Sequence, residues 1–394
     1  MTSESTERAR QALPLWQVGL PILHYLFGAS LLFCSLLFHY RYADIVDFYT
    51  YYHAAVVMLQ QPQNLYHSEL YALPYNPQHY VPFNNPPSFA LFIYPLGFFS
   101  YPAAWSIWIG INLIASIAVI FRVRTLAESL GLQKYKNLLG AVAVGIPSWV
   151  YIMHIGQVSV ILALAITSFL VHWRSGEHKA AAFWIAVGAA IKPHYFVFLL
   201  LFLLGCRQCK CVMHCAAWFG LFALISVALL GYQLWPAYVY HILEMNHHSE
   251  GFASFFERMV NLRGILTASL SSDHGEWVTR LIFTLYGLGG IGCLMLGCYA
   301  HAKQAKIEAF VPLVFALSWF LAPWLHMQDC YSLLPVITLL LAYLTPIRRS
   351  YLLLPIYVLM TLFGFAGFWP YRLSLLLLVC ISASIAFRRA EIAS

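Results

Sequence analysis

The sequence predicts an all-α polytopic membrane protein, and three observations carry that prediction. Hydrophobic residues make up 61% of the 394 positions and charged residues only 9%, where a soluble domain carries about 25% charged residues. The mean hydropathy is +0.72. Apolar runs also succeed one another along the chain, near 21–38, 103–121, 138–153, 158–172, 180–191, 194–205, 213–231, 278–298, 307–322, 331–345, 351–368 and 373–387. A bilayer core takes about 20 apolar residues in helix, so these runs predict about twelve spans. A soluble enzyme, a disordered chain and a nucleic-acid-binding domain are excluded by the same composition. The nine cysteines are too scattered for a disulfide scaffold.

Taken in order, 21–38 lacks a small-residue cleavage site after it and reads as a span rather than a signal peptide. In the segment that follows, 39–102, Ile45, Phe48, Tyr52, Ala55, Val56 and Leu59 recur at helical spacing. They predict an amphipathic helix over 44–60 lying in the membrane interface. Asp47, Tyr51 and Ala54 fall on another face, with Asp47 and Tyr51 one turn apart. Asp44 and Asp47 read either as caps of that helix or as a mount for one general base. Pro86 and Pro87 open an apolar stretch over 86–99, too short for an ordinary span and expected to be re-entrant. Runs 180–191 and 194–205 are too short to cross separately and are expected to lean on neighbours around Pro193.

Charge sets the orientation. With 86–99 not crossing, 16 of the 22 Lys and Arg residues, from Arg8 to Arg389, fall on one side, which is then cytoplasmic with both termini. The net charge of +7 is thereby explained without nucleic acid. Two substantial segments, 39–102 and 232–277, remain on the outer face, and function is expected there.

Several polar residues face that side. Gln157 follows Gly156 in a turn between runs. Lys192, between two apolar runs, either snorkels to the interface or meets an anion such as phosphate. Asn261-Leu262-Arg263-Gly264 offers a guanidinium suited to phosphate, or a plain surface arginine. Trp324 and His326 stand at the outer end of two late runs, just before Asp329, and Tyr52, Tyr66 and Asn85 complete the polar set of the first segment. His247-His248 and the Cys206, Cys209, Cys211 spacing superficially suggest metal, but each lacks a surrounding ligand shell, so no metal site is expected.

The ordered motifs D-F-Y-x-Y-Y-x-A-A, L-Y, N-P-P-S-F-A-L-F-x-Y-P-L, G-Q, I-K-P, N-L-R-G and W-x-H resemble glycosyltransferase family 87. That family includes polyprenyl-phosphate-mannose-dependent α-1,2-mannosyltransferases. The resemblance runs from about residue 20 to 345 and implies a single GT-C domain over 1–394, in a bacterial inner membrane, with interfacial helices in the first outer loop. It implies inverting transfer of a sugar, mannose above others, from a polyprenyl-phosphate donor to an envelope glycan or glycolipid at the outer face. Asp47 then falls at the base position, and Lys192 and His326, with Arg263, at the donor phosphate. Asp44, Tyr51, Tyr52, Tyr66, Asn85, Gln157, Asn261 and Trp324 are the expected substrate-binding residues. No cofactor is implied; membrane lipids, donor and acceptor are the partners. A transporter or flippase of a lipid-linked sugar is the competing reading.

Overall fold

The computed structural model describes residues 46–73, 76–145, 147–247, 259–270, 275–344 and 369–393, together with scattered positions between 19 and 30. Asp44, His248, most of run 21–38 and all of run 351–368 lie outside the described residues. Helices are numbered here from α1, Val46–Gln60, which is followed by a short antiparallel ribbon of β1, Ala72–Leu73, and β2, Asn76–Tyr80. Next come α2, Pro87–Ile93; α3, Tyr101–Ser129; α4, Lys136–Gly145; α5, Pro147–Ile155; and α6, Ser159–Arg174. Then follow α7, His178–Ile191; α8, Val197–Gly205; α9, Cys209–Leu230; α10, Leu234–His247; and α11, Leu262–Ser269. The series closes with α12, Gly275–Ala302; α13, Val311–Leu321; α14, Leu334–Tyr343; and α15, Trp369–Ala393.

Among the described residues, four helical stretches are long and apolar enough to cross a membrane: Tyr101–Ser129, Gln133–Ile155, Cys209–Leu230 and Glu276–Ala302. The chain is therefore a helical membrane protein. On α3, Ile107, Ile111, Ile114, Ile117 and Phe121 are exposed. They recur at helical spacing, as a face turned to lipid tails should. The shorter helices are the inner ones. α6, sixteen residues long, is buried almost all round, and α13 and α14 are buried along most of their length. A helix apolar on every side is stable where neighbours enclose it.

Runs 180–191 and 194–205 form α7 and α8, broken at Lys192, whose backbone leaves helix with φ −138 and ψ 82. α8 lies tight against α12: a Cβ on Gly205 would strike the Leu294 carbonyl, and one on Gly297 the Phe202 carbonyl. α1 is enclosed more deeply than an interfacial helix. Phe48, Thr50, Tyr51, Ala54, Ala55, Val57 and Met58 are all buried. Tyr51 and Ala54, which lie off the apolar stripe, thus pack inward as well. Phe48 meets Tyr101, Trp105 and Trp108, and Tyr51 meets Phe89 and Trp108. Stripe counting fails here because aromatic neighbours cover the second face as well.

Candidate active site

Asp47 sits in the first turn of α1. Its Oδ2 accepts from Gln157 Nε2 at 3.0 Å. Gln157 Oε1 in turn accepts from Tyr51 Oη at 2.6 Å and from the Val158 N–H at 2.7 Å. Two donors on one atom of the amide fix which way it faces, so its N–H₂ must point at the carboxylate. Gly156 makes this possible: its φ of +71 turns α5 into α6, and any Cβ there would strike Phe48 and Trp105. Its carbonyl accepts from Trp108 Nε1 at 2.7 Å. The Gly-Gln pair is therefore a rigid bracket for the Asp47 carboxylate.

Lys192 and Asp329 form the second part of the site. Lys192 Nζ lies 2.6 Å from Asp329 Oδ1, and the two side chains are 15% and 2% exposed. Asp329 Oδ1 also accepts from Ser159 Oγ at 2.8 Å, and its Oδ2 from Tyr195 Oη at 2.9 Å. A buried charge pair is tolerated when its remaining lone pairs are satisfied in this way. Asp329 further belongs to a reciprocal cap: the His326 side chain accepts from the Asp329 N–H, while the Asp329 carboxylate faces the His326 N–H.

Burial raises the Asp47 carboxyl from the ordinary carboxylate range to about 7, helped by the nearby Asp329 charge and opposed by Lys192 and the Gln157 amide. A carboxyl so placed changes protonation near neutral pH, the behaviour a general base needs.

The Asn85-Pro86-Pro87-Ser88 motif positions Lys192. Pro86 and Pro87 start α2 without needing the missing N–H groups. Asn85 Nδ2 then donates to the Ile191 carbonyl at 3.1 Å, and Ser88 Oγ to the Ala190 carbonyl at 2.9 Å. These are orphan carbonyls at the end of α7, so the motif caps that helix and releases the chain at Lys192. Tyr66 Oη donates to the Asn85 carbonyl at 2.9 Å, one layer behind.

Other expected site residues are used elsewhere. Asn261 caps α11 through the Gly264 N–H and donates to the Ala322 carbonyl at 2.5 Å. Arg263, 1% exposed, donates to the Pro323 carbonyl at 3.3 Å and to Thr279 Oγ1 at 3.0 Å. With the Val260 N–H on the Leu325 carbonyl, they hold the segment that carries Trp324 and His326. Trp324 accepts through its carbonyl from Tyr195 Oη at 3.2 Å, and its ring meets His194 edge-on. Tyr52 turns away and donates to the Phe99 carbonyl.

Asp329, Tyr195 and Ser159 were missed from the sequence. A signal for Asp329 existed: a lysine between apolar runs needs a counter-charge, and Asp329 begins a late apolar run. Among the described residues, no group of three or more His, Cys, Asp or Glu side chains could hold a metal ion.

What the fold and these contacts define is a helical membrane protein with a polar centre assembled from residues 106 to 170 positions apart. Residues 83–323 match glycosyltransferase family 87. The chain belongs to that family and is a glycosyltransferase. Asn85, Gln157, Lys192, Asn261 and Arg263 fall within the matched residues, whereas Asp47, Trp324, His326 and Asp329 fall outside them. No curated protein matches the chain.

Proposed function

We propose that this glycosyltransferase moves mannose from a polyprenyl-phosphate donor to an envelope glycan or glycolipid, at the outer face of a bacterial cell membrane. The reading includes a GT-C arrangement of about twelve spans with both termini cytoplasmic, and transfer by inverting single displacement. The observation that carries it is the Asp47 carboxyl, raised to about 7 and bracketed by Gln157 beside the Lys192–Asp329 pair.

The step balances with the chain's own residues. Asp47 takes the proton of the acceptor hydroxyl as its oxygen closes on the anomeric carbon, opposite the phosphate. The bond from that carbon to the phosphate oxygen breaks, and its electron pair leaves with the polyprenyl phosphate. Phosphate is already a good leaving group, so a second carboxylic acid, as in a glycosidase, is unnecessary. Lys192 has three N–H donors; one is spent on Asp329, leaving two for phosphate oxygens as charge collects there. His326, capped against Asp329, lies beside the same pair. No cofactor enters the reaction.

Transfer from labelled polyprenyl-phosphate mannose in proteoliposomes tests this. Asp47→Asn should lose activity by about 10²- to 10⁴-fold, the usual contribution of a positioned base, while the fold is kept. Comparable turnover in that variant would remove Asp47 from the role.

A further inference from the structure

We propose that the far end of the bundle, away from Asp47, holds a binding site for a phosphate-bearing anion, the headgroup of an anionic phospholipid. The site is a cavity of about 440 Å³ where α8 and α12 end, lined by Cys206, Gln208, His301, Gln304 and Ile307 among others. α8 reaches it from the Lys192 side, and α12 from Tyr286, whose hydroxyl bonds the His194 carbonyl. The sixteen residues from Tyr286 to Ala302 put the cavity about 24 Å along the helix from that contact.

The first argument is the way these helices stop. Five helices end in the same turn, in which an N–H reaches back five residues: Leu132 to Ala127, Gln157 to Ile152, Glu177 to His172, Gln208 to Leu203, and Ala305 to Ala300. The residue before that N–H takes left-handed backbone, which favours glycine. The first three turns use Gly131, Gly156 and Gly176. The two that meet at the cavity use Arg207, at φ 57, and Gln304, at φ 50, and these are the only non-glycine residues with left-handed φ among those described. Of these two, Gln304 lines the cavity, and the exposed Arg207 sits between its lining residues Cys206 and Gln208.

The second argument is charge. The two turns carry Arg207, Lys210, Lys303 and Lys306 with a single acid, Glu308. The ion pairs among the described residues are Lys136–Glu128, His172–Glu177, Lys192–Asp329 and Arg280–Glu276, so none involves these four cations. Gln208 and Gln304 line the cavity and the four cations flank its lining residues in sequence, a combination of amide donors and positive charge that suits phosphate oxygens. The Gly205–Gly297 contact fixes the walls one turn deeper, and Leu204 and Met295 on the same helices are exposed and apolar, as acyl chains require.

The site is independent of the transfer chemistry, so its test needs no substrate. Thermal unfolding of the full chain in detergent is followed with phosphatidylglycerol, phosphatidylcholine or inorganic phosphate added. Phosphatidylglycerol should raise the wild-type Tm by about 5 °C and phosphatidylcholine should not. Arg207→Gly and Gln304→Gly should keep or raise the Tm without lipid, because they relax the turns, yet lose most of the phosphatidylglycerol shift. A shift from inorganic phosphate as large as that from the lipid would overturn the headgroup as ligand and assign the site to free phosphate. Variants that respond as fully as wild type, or a wild type that responds to neither phosphate nor phosphatidylglycerol, would overturn the site itself.

Discussion

Lys192, by its charge, and Gln157, by its amide hydrogen bond, favour the ionised Asp47 carboxylate that burial disfavours, Lys192 the more strongly. Activity carried by that carboxylate should rise with pH through about 7, as the proton leaves. Gln157→Leu removes a contact that lowers the pKa, so the midpoint of the pH–rate profile should move upward. An unmoved midpoint would show that the bracket does not tune the base. The same shift has a stability sign. The native carboxyl holds its proton from about 4 to about 7 while the unfolded one has lost it, so stability falls as pH rises through that window. Asp47→Asn should therefore melt at or above wild type at pH 8, although inactive. The ion pair behaves oppositely. Lys192→Met leaves Asp329 buried and unpaired and should cost about 3–5 kcal/mol; the double variant with Asp329→Asn should recover most of that in thermal melts. Asp47 was legible as an acid at a helix start. Asp329 was harder to read, because three of its four partners, Ser159, Lys192 and Tyr195, lie 134 to 170 residues away in two other segments.

At the scale of elements, the N-P-P-S motif was legible as a helix start and illegible as a cap on another helix. Two prolines speak for their own backbone, whereas the carbonyls of Ala190 and Ile191 enter only once α2 and α7 meet. Asn85→Ala should cost about 1 kcal/mol for the lost hydrogen bond. It should also weaken transfer more than it weakens the fold, since it frees the backbone that aims Lys192; equal losses would make Asn85 merely structural. Gly156→Ala is predicted to be harsher, by about 1–3 kcal/mol, because left-handed backbone and contact with Phe48 act together. The same distinction explains α1: its helical period was readable, but its second buried face depends on Phe89 and Trp108, which sequence spacing cannot place beside Tyr51.

Over the whole molecule, the membrane class was readable from composition because every lipid-facing or enclosed helix must be apolar. Which helices are enclosed was not readable, since an inner helix such as α6 and an outer one such as α3 are both strongly apolar. Orientation is open to direct measurement. Cys209 is exposed at the basic end of the bundle, so a membrane-impermeant maleimide should label it in inverted vesicles and spare it in right-side-out ones, with Cys209→Ser as the control. Labelling from the outside would reverse the assignment of faces. The ion pair also carries a lesson about time. Lys192 and Asp329 stand 137 residues apart. During synthesis from the N-terminus at about 5–20 residues per second, the lysine therefore waits on the order of ten seconds for its partner to be made. Through that interval the nascent chain carries an ammonium between two short apolar segments without the carboxylate that pairs with it, so the polar centre of the enzyme is completed only late in synthesis.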